Sequence, residues 1–105
     1  MLRITIQDDP KAVTMRLEGK VVGPWVDELN RSWHALMPTL ASKRFCIDLR
    51  DVAFVDDQGK RLLHEMYRGT TADFLADSPL TRYFAEEARQ MPPKVEEVTK
   101  VKKGV

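Results

Sequence analysis

Two adjacent carboxylates, Asp56 and Asp57, followed by Gln58, Gly59, Lys60 and Arg61, form the densest run of chemistry-bearing side chains in the sequence. Paired carboxylates can share acid–base work or hold a divalent cation, so this run is the first place to look for a site. Neighbours along a chain generally point apart, however, and aspartate is also recruited to turns and helix starts for its hydrogen bonds. A cap and a turn aspartate account for both residues without catalysis. His64 follows Asp57 by seven residues on the same helical stretch, and roughly 10 Å of helical rise keeps the two side chains apart. His34 belongs to another helix. With two histidines and one cysteine, none at metal-ligand spacing, no metal and no cofactor is expected. Cys46 lies in an apolar run and reads as a small core hydrophobe rather than a nucleophile. Gly59-Lys60 lacks the upstream glycine and the following hydroxyl of a phosphate-binding loop.

The elements that must position this run are legible from periodicity. Leu2 to Gln7 and Val13 to Leu17 alternate apolar and polar residues, the pattern of strands with one buried face. Asp8-Asp9-Pro10-Lys11 between them is turn chemistry, too short for a parallel crossover, which predicts an antiparallel hairpin. Gly23-Pro24 opens a helix whose Trp25, Val26, Leu29, Trp33 and Leu36 make one apolar stripe ending near Met37-Pro38. Both tryptophans read as core, with Trp25 also placed for an interface near the helix start.

Phe45 to Leu49 is apolar at nearly every position, which predicts a central strand covered on both faces. A short apolar segment from Asp51 to Asp56 then runs into a turn. Leu62, Leu63, Met66 and Tyr67 predict a second helix, with Gly69 as its stop. Ala72 to Ala76 is a weaker strand, and Ser78-Pro79 starts a third helix that buries Leu80, Tyr83 and Phe84. The predicted fold is α/β: a small mixed four-stranded sheet, an N-terminal antiparallel hairpin followed by parallel β-α-β units, with about three helices.

Composition sets the outer bounds. A chain of 105 residues, 43% hydrophobic and 31% charged, suits one soluble domain. Lys and Arg number 17 against 16 Asp and Glu, so no overall field draws the molecule to nucleic acid or an anionic membrane. The balance is uneven: residues 1–88 hold 12 basic and 14 acidic side chains, net −2, whereas 89–105 hold 5 and 2, net +3. We therefore expect a domain over 1–88 and a loosely ordered basic tail over 89–105, broken by Pro92-Pro93. Val52-Ala53-Phe54-Val55 is the longest apolar run, far below the roughly 20 residues of a membrane span. Met1-Leu2-Arg3 opens no signal-peptide pattern, and the lone cysteine agrees with a reducing compartment, so the expected address is the cytoplasm.

The stretch from Ile47 to Leu63, with Asp48-Leu49, an apolar segment and then Asp56-Asp57-Gln58-Gly59 at a helix start, resembles the core motif of the STAS domain. That family includes anti-sigma factor antagonists and the cytoplasmic tails of sulfate transporters. Leu17-Glu18-Gly19-Lys20-Val21 is similar to the segment leaving the family's second strand, and Gly69 through Leu80 to its glycine, strand and proline-led last helix. Together these pieces cover about residues 12 to 84.

In that family the corresponding motif is Asp-Ser-Ser-Gly, whose first serine is the phosphoacceptor of a partner kinase that is also the anti-sigma factor. By position, that serine is Asp57 here and the next is Gln58, and no serine or threonine occurs between Asp51 and Thr70. The resemblance thus implies a non-phosphorylatable variant. Asp57 also fits an N-cap, and Gly59, just inside the helix, would let a partner's backbone or an anion approach closely. The resemblance implies a protein-binding regulator without catalytic activity that contacts its partner through Asp56, Asp57, Gln58, Gly59, Lys60 and Arg61. The implied partner is a kinase-type anti-sigma factor or another signalling protein, the implied consequence control of transcription or stress response, and a homo-oligomer is compatible with it. The alternative is a module binding a small ligand, a lipid or a nucleotide. An enzyme with Asp56 or Asp57 as base is the third reading.

Overall fold

The computed structural model describes residues 1–90, and the expected tail beyond Gln90 lies outside the described residues. The N-terminal alternation gives β1 (Leu2–Asp8) and β2 (Ala12–Val21), paired antiparallel without a break from Leu2↔Gly19 to Asp8↔Val13. Pro24 in the first turn starts α1 (Pro24–Leu36), and a 3-10 turn over Met37–Thr39 follows it. Next come β3 (Arg44–Val55), α2 (Asp57–Thr70), β4 (Asp73–Leu75) and α3 (Pro79–Gln90). The sheet order is β1-β2-β3-β4, with β3 parallel to both β2 and β4. This is the mixed four-stranded sheet with three helices that the sequence predicts.

Val13, Met15 and Leu17 of β2 and Phe45, Ile47 and Leu49 of β3 point to one face, where Leu29, Trp33, Leu63 and Met66 complete a core. Trp33 of α1 stacks on Phe45 with ring centroids 5.6 Å apart. Phe74 of β4 receives Tyr67 of α2 at 5.9 Å, and the Arg89 guanidinium of α3 lies 5.8 Å over the same ring. All three helices therefore lie on that face.

Among the described residues, double cover of β3 is not what forms. Helices cover one side, and the other presents a polar row that includes Thr14, Arg16, Glu18, Cys46 and Asp48. The nearly continuous hydrophobicity of Phe45 to Leu49 misleads because Asp48 is buried by a different route. Its carboxylate accepts the backbone amide and Nε of Arg50, both at 3.0 Å, and Nη2 at 2.9 Å. Arg16 makes the neighbouring bridge to Asp51 at 2.6 Å. Cys46 is half-buried on this side, and burial first, then the charge of Asp73, pushes its thiol pKa up, away from the reactive thiolate.

Two helix ends differ from expectation. α2 runs past Gly69 to Thr70 and stops at Thr71, which takes the left-handed conformation itself, φ 50° and ψ 45°. α3 begins as predicted: Ser78 Oγ accepts the Thr81 amide at 3.1 Å. It extends through Arg89 and Gln90, so the expected domain boundary at 88 falls inside a helix.

Candidate functional site at the start of the second helix

Val21 and Val55 are register partners, so the parallel strands β2 and β3 end side by side. The chain leaves β2 through Val22-Gly23 into α1, and leaves β3 through Asp56 into α2. Both helix N-termini consequently stand at the carboxyl end of the sheet, where amide donors concentrate.

Asp56 organises this corner. Its backbone amide donates to Val21 O at 3.1 Å, which closes the sheet. Its side chain splits: Oδ1 accepts the Gly59 amide at 2.8 Å and caps α2, while Oδ2 accepts the Gly23 amide at 3.0 Å. Gly23 is the N-cap residue of α1 and has φ 53° and ψ −128°, a conformation that favours glycine. The N-cap of α2 is therefore Asp56 and not Asp57. The one-residue difference has a backbone cause: Asp56 is extended, φ −82° and ψ −179°, whereas Asp57 is already the first helical residue.

Asp57 is exposed, with its carboxylate at the positive end of the α2 dipole and no ion pair among the described residues. Gln58 and Arg61 are exposed beside it. Gly59 does not face a visitor. It is buried, and a Cβ there would lie 2.6 Å from Val21 O and 2.8 Å from Val55 Cγ1. The glycine is needed so that the first turn of α2 can lie against the ends of β2 and β3. Lys60 also turns inward, its side chain 17% exposed, with Nζ 3.9 Å from Glu87 Oε1 and 5.2 Å over the Tyr83 ring. It fastens α2 to α3. Of the six residues expected to meet a partner, Asp57, Gln58 and Arg61 are presented outward, Asp56 and Gly59 build the scaffold, and Lys60 joins two helices.

Sequence reasoning missed the groove that two of these three residues, Gln58 and Arg61, border. Val26, Asp27 and Asn30 of α1 face Gln58, Arg61, Leu62 and Glu65 of α2 across an open space of about 220 Å³. The spacing of 58, 61 and 65 against 27 and 30 marks two polar helix faces, but only the tertiary structure brings them together. His64 is not part of it, because its Nδ1 contacts the Ala88 carbonyl of α3. Among the described residues no three His, Cys, Asp or Glu side chains gather as metal ligands, and no helix is long and apolar enough to cross a membrane.

No family model matches the chain, and no curated protein matches its sequence. Solved structures do match its fold. SpoIIAA, an anti-sigma factor antagonist in its unphosphorylated form, superposes with a TM-score of 0.57 at 16% identity, covering 92% of this chain and 90% of that one. The STAS domain of an anti-sigma factor antagonist from Rhodobacter sphaeroides gives 0.53 at 16% identity, covering 85% and 92%. Mglu gives 0.58 at 18% identity over 71% of this chain, but the match spans only 19% of Mglu. Strand order, helix placement and these superpositions together give this chain the SpoIIAA-like STAS fold.

Proposed function

We propose that this protein is a regulatory protein-binding module that engages its partner through the first turn of α2, with Asp57 as the permanent negative charge. The carrying observation is the exposure of Asp57 beside Gln58 and Arg61, on a backbone held by the Asp56 cap and the buried Gly59. A capped first helical turn that presents Asp57 and Arg61 to solvent suits recognition better than turnover. Asp56 is a poor candidate base, since both its oxygens already accept amides. The likeness to SpoIIAA, named as an anti-sigma factor antagonist, supports a signalling partner such as a kinase-type anti-sigma factor.

A phosphoserine at this position would carry about −1.5 to −2 charges and three acceptor oxygens, where Asp57 carries about −1 and two. Asp57 thus stands for a weakened version of the modified state and does not cycle. The test is binding of a purified kinase-type anti-sigma factor to the wild type, Asp57→Ser and Asp57→Lys, with intact mass measured after incubation with ATP. Charge reversal should abolish specific binding, and the wild-type mass should stay constant. Equal affinity of all three proteins, or a phosphate on residues 51–70, refutes the proposal. A second reading, capture of a small polar ligand, draws on the groove lined by Gln58 and Arg61. Thermal stabilisation by a nucleotide or lipid panel, lost in Arg61→Ala, would favour it.

A further inference from the structure

β1 is a sheet edge seven residues long, and among the described residues no strand pairs with its outer side. Edge strands are commonly protected by brevity, by proline, by charged side chains, lysine above all, or by a bulge, and Arg3 and Asp8 are the charges β1 carries. The opposite edge, β4, is three residues long. β1 contains no proline, lysine or glycine, and its pairing with β2 is unbroken.

The direction of its free hydrogen-bonding groups follows from the ends of the hairpin. Lys20 N donates to Met1 O at 3.1 Å, and Asp9 N to Ala12 O at 2.8 Å. Antiparallel ladders alternate, so the odd residues from Met1 to Asp9 bond inward to β2. The amides and carbonyls of Leu2, Ile4, Ile6 and Asp8 are then turned away from β2. The side chains of Leu2, Ile4 and Ile6 line the helix-covered face, opposite Gly19, Leu17 and Met15, yet Ile6 remains 41% exposed. Among the described residues, apolar surface and unpaired backbone coincide along one strand.

We infer that two copies of this protein associate by antiparallel pairing of β1 with β1 about a two-fold axis at Thr5, which gives a continuous eight-stranded sheet. This register is the one in which all seven residues find a partner. Ile4 then opposes Ile6 of the second copy, Leu2 opposes Asp8, Arg3 opposes Gln7 and Thr5 opposes Thr5. No like charges face each other. The outward even residues fall in the hydrogen-bonded positions, so their donors and acceptors are mutually satisfied. Four isoleucines, two from each copy, close into one apolar row across the axis. A two-fold contact requires such a self-complementary patch.

Sedimentation of the full chain should give twice the monomer mass. Ile6→Pro removes an outward amide that the monomer does not use, and Ile6→Lys places a charge on the row. Both should sediment as folded monomers by circular dichroism. In a Cys46→Ala background, Thr5→Cys should cross-link on mild oxidation, because the axial pair is the close, non-hydrogen-bonded type, whereas Arg3→Cys should not. A monomeric wild type at its highest soluble concentration overturns the inference. So do dimers that survive both Ile6 substitutions, or cross-linking of Arg3→Cys in place of Thr5→Cys. These readouts are independent of Asp57 and of its partner.

Discussion

The carboxylate of Asp56 accepts the amide of Gly23 at 3.0 Å, joining the start of one helix to the start of another 33 residues earlier. The same side chain caps its own helix through Gly59. The finding changes what the aspartate pair means: one member holds the scaffold and the other, Asp57, is presented to solvent.

Asp56→Ala should therefore cost more than an ordinary cap. Losing the cap and leaving the Gly23 amide without its acceptor together amount to about 1–3 kcal/mol. Urea denaturation measures this. Asn at 56 keeps an acceptor oxygen for the helix and should recover part of the loss, so equal midpoints for Asp56→Ala and the wild type would contradict the bridging role.

Gly59→Ala should destabilise although alanine is the better helix former. The new methyl meets a backbone carbonyl at 2.6 Å and Val55 Cγ1 at 2.8 Å, and Val21 O cannot swing aside as a side chain would. Overpacking of about 1–3 kcal/mol exceeds the roughly 1 kcal/mol gained in helix propensity. A raised melting temperature for this variant would mean that α2 sits farther from the strand ends than described.

Binding and stability should separate at the next pair of positions. Asp57→Asn removes an exposed charge near the helix dipole and should alter stability by less than about 1 kcal/mol, while weakening the partner. Lys60→Gln should do the opposite, loosening α2 from α3 through the lost Glu87 and Tyr83 contacts and leaving affinity unchanged. Calorimetric titration beside thermal unfolding distinguishes the two behaviours.

The buried Asp48 makes stability depend on acid. Its hydrogen bonds to the Arg50 side chain, opposed by burial and aided by the Arg50 backbone amide, hold its carboxyl below the usual carboxylate range. A carboxyl whose pKa is lower folded than unfolded contributes fully above its unfolded value of about 3.9. That contribution fades as pH falls from there through the folded value. Asp48→Asn should flatten the acid limb of a stability profile taken from about pH 5 to pH 2, and an unchanged slope would show that other carboxylates set it.

The hairpin, the three helices and the parallel strands could be read from the sequence because of their periodicities of two and near four residues. In α3, however, the buried face is Thr81, Phe84, Ala85 and Ala88, while Leu80 and Tyr83, expected inside, are about half exposed. Ser78-Pro79 likewise announced the start of α3. The errors arise where one residue type serves two ends. Aspartate at 56 and at 57 looks alike as a cap, and only the backbone angle at Asp56 decides between them. Gly59 looks like an opening for a visitor, whereas the space its missing Cβ leaves is filled by Val21 and Val55. Asp48 hides within an apolar string because its counterion, Arg50, lies two residues on, on the same face of the strand. The groove between α1 and α2 has no linear signature, since its walls come from segments about 30 residues apart.

Tethering both helix starts to a single oxygen pair has a mechanical result. The walls of the groove are pinned near Gly23 and Gln58, like tongs joined at one end, so its width there is set by bond lengths. Toward Asn30 and Glu65 no hydrogen bond among the described residues crosses the gap. The two helices are thus tied at the corner near Gly23 and Gln58 and untied at the span beyond.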